Sequence, residues 1–194
     1  VVAAESRKRI GDVRALRALA DPVRYRLLGH LMAVGPQTAT QCAEIVGATP
    51  SNCSYHLREL ARYGLVERVE AGAADGRERP WRPTSTGLDY GPPDGEPADA
   101  VAAVAERQLM HVGIDDEAAL AHLAVEGRAE LPAEWRRATT MATYGLQVTA
   151  SELAELTRAI DALVRPYIAA TRDDAPSAAR AVHVSVGAFR RPAS

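Results

Sequence analysis

From Ile10 to Leu60, apolar residues recur every three or four positions, the spacing of one buried helix face. Ile10, Val13, Leu16 and Leu19 predict a first helix. Asp21-Pro22 has the chemistry of a cap followed by a first helical residue, and opens a second helix with Val23, Leu27, Leu28, Leu31 and Met32 inward. Gly35-Pro36 breaks the pattern. Thr38 or Thr40 then opens a short third helix with Cys42, Ile45 and Val46 as its apolar seam. Gly47-Ala48-Thr49 is a tight turn into a fourth helix over 50–63.

That fourth helix divides into two chemically different faces. Thr49 suits the N-cap and Pro50 the first turn, where no backbone N–H is missed. Cys53, Leu57 and Leu60 form the apolar stripe. At about 100° per residue, Ser51, Tyr55, Arg58 and Arg62 fall on the opposite side, with Asn52 and Ser54 on its flanks. His56 lies at the edge of the buried stripe, where packing and an outward contact are both open to it. Hydroxyls, an amide and guanidinium groups on one short helix match what the edges and rims of a DNA major groove offer. Two short helices joined by a Gly-containing turn form a helix-turn-helix unit, whose second member enters that groove.

After Gly64 the period changes. Leu65 to Glu70 reads as extended, Ala71 to Gly76 as a turn with hairpin chemistry, and Arg77 to Thr84 as a returning strand. Pro80 and Pro83 cannot donate to a ladder, so the hairpin should be short and edge-like. Arg77, Arg79 and Arg82 line it and could grip phosphates or a minor groove, as an arginine-bearing wing beside a recognition helix does.

Beyond residue 90 the pattern is mixed. Gly91 to Pro97 is a linker by composition. Ala98–Met110 predicts a helix with Val101, Val104 and Leu109 inward, serving to pair two copies of the chain or simply to pack on its own domain. Gly113 interrupts it, and Asp115 caps a further helix across 116–128. Alternation at Ala142, Tyr144, Leu146 and Val148 predicts a strand, as does Val182, Val184, Val186 and Ala188. Between them Thr149-Ala-Ser-Glu152 is a capping box, opening an amphipathic helix that carries Leu153, Leu156, Ile160, Leu163 and Val164 and ends at Pro166. Trp135, Met141, Tyr144, Tyr167 and Phe189 would form the core of this small α+β unit or a pocket for a small-molecule effector.

Composition narrows the class. At 194 residues and 47% apolar content, the chain can bury a core. Residues 1–90 carry 13 basic and 10 acidic side chains, against 10 and 15 in residues 91–194, an asymmetry suited to a nucleic-acid module followed by an acidic domain. No apolar run is long enough to span a bilayer and no signal peptide is seen, and Cys42 and Cys53 both sit on apolar helix faces. A reduced, cytoplasmic setting is therefore expected. No Gly-rich phosphate loop, nucleophile elbow or carboxylate pair points to an enzyme, and no cofactor is expected. His111, Asp115, Asp116 and His122 are the nearest approach to a metal-ligand set, but the break at Gly113 divides them, so no metal site is expected.

Three segments in order, Leu19 to Leu28 (LADPVRYRLL), Ser51 to Leu57 (SNCSYHL) and Gly64-Leu-Val66, resemble the ArsR-type winged helix-turn-helix transcription regulators over roughly residues 10–90. The resemblance implies a homodimer that binds a partly palindromic operator in double-stranded DNA and represses until an effector arrives. It also implies that Asn52, Ser54, Tyr55 and His56 occupy positions that meet DNA. Two departures stand out: the Cys-x-Cys pair of the metal-sensing members is reduced to Cys42, and Pro83 replaces an apolar residue of the second wing strand.

The expected fold is thus mainly helical with a little β structure. It comprises a winged helix-turn-helix domain over 1–90, a linker over 91–97, and a helical dimerisation segment with a small α+β domain over 98–194. The expected function is a DNA-binding transcription regulator without a membrane attachment. The rival is a winged helix that uses Tyr55 and Arg58 on a partner protein and binds no DNA.

Overall fold

The computed structural model describes residues 7–69, 79–90, 99–169 and 171–191. The order of elements is β1 (Arg7–Ile10), α1 (Val13–Leu19), α2 (Pro22–Val34), α3 (Ala39–Val46), α4 (Pro50–Arg62), β2 (Val66–Arg68), β3 (Trp81–Pro83), β4 (Gly87–Tyr90), α5 (Ala100–Glu126), α6 (Ala133–Ala138) and α7 (Ala150–Val164). The chain divides into two compact units, one of residues 1–116 with 167–183 and one of residues 117–166 with 184–194. The division falls within α5; residues 91–97, the expected linker, and 71–76, the expected hairpin turn, lie outside the described residues.

In the first unit the caps act where the sequence places them. The Asp21 carboxylate accepts from the backbone N–H of Arg24 at 3.0 Å, and Pro22 occupies the first turn of α2. Thr38, not Thr40, starts α3 through a reciprocal box with Gln41. Thr49 accepts from the N–H of Asn52 at 3.2 Å to start α4. Gly47 and Gly64 end α3 and α4 at φ of 64° and 61°, a left-handed turn that costs a side-chain-bearing residue about 1 kcal/mol.

The core of this unit gathers Leu16, Leu19, Leu27, Leu28, Leu31, Cys42, Cys53, Leu57, Leu60, Leu65 and Val66, all at most 2% exposed. Removing that apolar surface from water, at about 25 cal/mol per Å², is what holds helices this short in place. Three details differ from expectation. Ile10 belongs to β1 rather than to the first helix, and is buried there. Ile45 is 53% exposed, and Ala39, Cys42 and Ala43 supply the seam of α3. Val101 and Val104 are each 47% exposed, while Ala105, Leu109 and Gly113 form the buried stripe of α5 at i, i+4 and i+8.

The break expected at Gly113 does not occur. One helix runs from Ala100 to Glu126, and Gly113 faces Tyr25 of α2 so closely that a Cβ there would lie 2.8 Å from the Tyr25 hydroxyl oxygen. The glycine serves a close approach between helices, at a propensity cost of about 1 kcal/mol relative to alanine. An ion pair from Arg26 Nε to Asp116 Oδ1 at 2.9 Å joins α2 and α5 a turn further on.

Among its described residues the first unit also has two two-stranded sheets. β2 and β3 pair antiparallel, Val66 opposite Pro83 and Arg68 opposite Trp81. β1 and β4 pair in parallel, from Arg7 opposite Gly87 to Ile10 opposite Tyr90, with Arg7 Nε 2.7 Å from Asp89 Oδ1.

In the second unit no described residue is buried. The strands expected over 142–148 and 182–188 are not formed: both stretches are irregular, with Tyr144 79% and Val184 61% exposed. Alternation states which side chains would share a face, but a strand is stable only when a neighbour completes its ladder and covers that face. None of Trp135, Met141, Tyr144, Tyr167 and Phe189, the expected core, is buried, and Tyr167 belongs to the first unit. Trp135 is half-buried and the other four are at least 67% exposed. The capping box does form, with Glu152 accepting from the Thr149 N–H at 2.7 Å, and α7 ends two residues before Pro166.

Candidate nucleic-acid interface

The position of α4 follows from its two faces. Cys53, Leu57 and Leu60 are fully buried, which fixes the rotation of the helix about its axis. Ser51, Asn52, Tyr55, Arg58 and Arg62 are consequently exposed, and Ser54 is half-buried at the flank. Tyr55 is 52% exposed. Arg62 is held by Glu59 at 2.9 Å, whereas Arg58 has no acidic partner among the described residues.

His56 is placed differently from the rest of the expected set. It is 9% exposed and lies on the buried side, with Nδ1 3.9 Å from Asp21 Oδ1 and its ring edge-on to Tyr55 at 5.3 Å. The sequence carried a signal for this: His56 stands four residues before Leu60 and three after Cys53. Its position is structural, and it is removed from the candidate contact face.

Both cysteines are core residues. Burial pushes the Cys42 thiol up to about 11, with Cys53 nearby adding to the effect, and burial raises Cys53 as well. Thiols held protonated in this way are poor nucleophiles and poor metal ligands.

Past the end of α4, Lys8 reaches from β1 and donates to the carbonyl of Gly64 at 2.5 Å and that of Tyr63 at 3.4 Å. Thr84 donates to the same Gly64 carbonyl at 2.7 Å. A cation at the negative end of a helix satisfies carbonyls that have no partner within it. The sequence reading missed this lysine, because the strand that carries it pairs with residues some 80 positions away.

The hairpin places its arginines in two kinds of setting. Arg82 pairs with Glu67 across the strands at 2.7 Å. Arg68 lies over the Trp81 ring at 4.4 Å and donates to the carbonyl of Arg79 at 3.2 Å. Arg79 is exposed, and Arg77 lies outside the described residues. Pro83 does not disturb the ladder. The bonds Thr84 N–H to Leu65 carbonyl and Val69 N–H to Pro80 carbonyl show that Pro83 sits at a non-hydrogen-bonded position, while Pro80 only accepts. The two-way bridge between Gln37 and Trp81 fastens the hairpin to the loop before α3.

Among known proteins, the model of a helix-turn-helix domain family matches residues 19–69. No curated protein matches the chain. Among solved structures, the crystal structure of RV1404 from Mycobacterium tuberculosis is similar over 79% of this chain and 81% of its own. Identity is 16% and the TM-score 0.31. No described helix is long and apolar enough to cross a membrane. The matched residues run from the last residue of α1 to the end of β2, and they form a helix-turn-helix domain.

Proposed function

We propose that this chain is a sequence-specific transcription regulator of the ArsR-like winged type, acting as a homodimer on a partly palindromic operator and repressing by occlusion. The observation that carries the reading is the exposed stripe of α4. Ser51, Tyr55, Arg58 and Arg62 stand opposite a fully buried seam, on a helix capped at both ends. Such a stripe supplies guanidinium forks for guanine edges or phosphates, and hydroxyls for either. Arg79 and Arg68, both exposed on the hairpin, would follow the neighbouring backbone.

Pairing of two copies through α5 is supported by its exposed apolar residues, Val101, Val104, Met110 and Ile114, each 47–60% exposed. Selection of bound sequences from random duplexes tests both parts. The expected product is an inverted repeat with half-sites about 10 base pairs apart, or a multiple. Enrichment of no motif, or of a single unrepeated half-site bound by a monomer in light scattering, would contradict it.

A further inference from the structure

We infer that Arg14 and Arg17 of α1 hold a backbone phosphate of the duplex on the flank of the recognition helix; this rests on the reading of α4 as the DNA-facing helix. A groove of about 380 Å³ opens to solvent between α1, the start of α2 and α4, and Arg14, Arg17, Arg24, Tyr55, Glu59 and Tyr63 line it. Tyr55, Glu59 and Tyr63 follow one another at i, i+4 and i+8, so they form a single flank of α4. Tyr55 also belongs to the exposed stripe. The groove is therefore continuous with the face proposed to enter the major groove.

The charges in it are unequally committed. Arg24 is held by the fold, with Nε donating to the Ala18 carbonyl and a terminal nitrogen 3.8 Å from Asp21. Glu59 is taken by Arg62 at 2.9 Å. The nearby acids Asp12 and Asp21 serve as caps, accepting from the backbone of Arg14 and Arg24. Arg14 and Arg17 are exposed, lie one turn apart on α1, and have no ion-pair partner among the described residues.

Two free guanidinium forks and the tyrosine hydroxyls make a donor set for a tetrahedral anion. The setting, polar and wide open, is unsuited to an apolar ligand. When a helix lies in a major groove about 12 Å wide, the phosphates rise along its flanks, where these arginines stand.

The test is the salt dependence of duplex binding by fluorescence anisotropy, for wild type, Arg14→Gln/Arg17→Gln, Arg14→Lys/Arg17→Lys and Arg58→Ala/Arg62→Ala. Removing one phosphate interaction should change the wild-type-to-variant affinity ratio by about 3.5-fold between 50 and 200 mM salt. For the glutamine pair that ratio should thus shrink by about 3.5-fold as salt rises, with sequence preference unchanged. The lysine pair should restore the slope. A glutamine pair that is folded by circular dichroism yet keeps the wild-type slope, while Arg58→Ala/Arg62→Ala loses binding, overturns this inference alone. No wild-type binding to any duplex at low salt overturns the parent reading with it. Inorganic phosphate bound in an Arg14- and Arg17-dependent way, with duplex affinity unaffected by the glutamine pair, assigns the groove to a free anion and also overturns it.

Discussion

Gly113→Ala gives a sharp test of how α5 is seated on α2. In an exposed helix the change would stabilise by about 1 kcal/mol, because alanine loses less backbone entropy on folding. Here the new Cβ would stand 2.8 Å from the Tyr25 hydroxyl oxygen and 3.2 Å from the carbon bearing it. Real Cβ atoms essentially never stand that close, so the helix or Tyr25, whose hydroxyl is the outer end of its side chain, must shift. Overpacking of that kind costs about 1–3 kcal/mol, and it should outweigh the propensity gain. We expect net destabilisation of about 1 kcal/mol in wild type. In a Tyr25→Phe background the closest oxygen is gone, and the nearest remaining atoms are at 3.2 and 3.6 Å. The same substitution should then be neutral or stabilising. Urea denaturation of the four proteins of this cycle should yield a coupling of about 1–2 kcal/mol. Additive effects, or stabilisation by Gly113→Ala in wild type, would refute the close approach.

Other consequences follow from single contacts. Lys8→Met removes the charged donor from the Tyr63 and Gly64 carbonyls just past α4 and should cost about 1–2 kcal/mol in a urea melt, whereas a cost near zero would show the cap to be idle. His56→Ala should behave as a core truncation, losing about 2 kcal/mol or more while leaving the salt slope of DNA binding unchanged; a reduced slope with intact stability would return His56 to the contact face. Burial holds His30 below its usual 6.5, so the unfolded chain takes up that proton first. Stability tied to His30 is complete above pH 6.5 and falls as the pH drops below it, and His30→Gln should flatten that part of the profile. An unchanged slope between pH 7 and 5 would contradict this.

What could be read from the chain depended on how local its cause was. The caps at Asp21, Thr49 and Thr149 and the buried seam of α4 rest on residues three or four apart, and each forms as the spacing requires. β1 and β4 were illegible, because four-residue strands gain their meaning from a partner on the other side of the helix-turn-helix domain. Gly113 was misread for a related reason: glycine is a helix breaker by propensity, and only Tyr25 explains its presence inside one. The exposed face of α4 was largely visible, while the groove it shares with the α1 arginines was not, since no periodicity links Arg14 and Arg17 to Tyr55. Alternation in 142–148 and 182–188 promised strands that the described fold does not make.

The central claim is that the outward stripe of α4 reads duplex DNA. Its most direct test is equilibrium titration of a selected duplex with wild type and Arg58→Ala/Arg62→Ala, each over a range of salt. Wild-type affinity should fall steeply with salt, and the folded variant should have neither that affinity nor the preference for the selected sequence. Binding that ignores salt, or a variant that still prefers the selected sequence as wild type does, would contradict it.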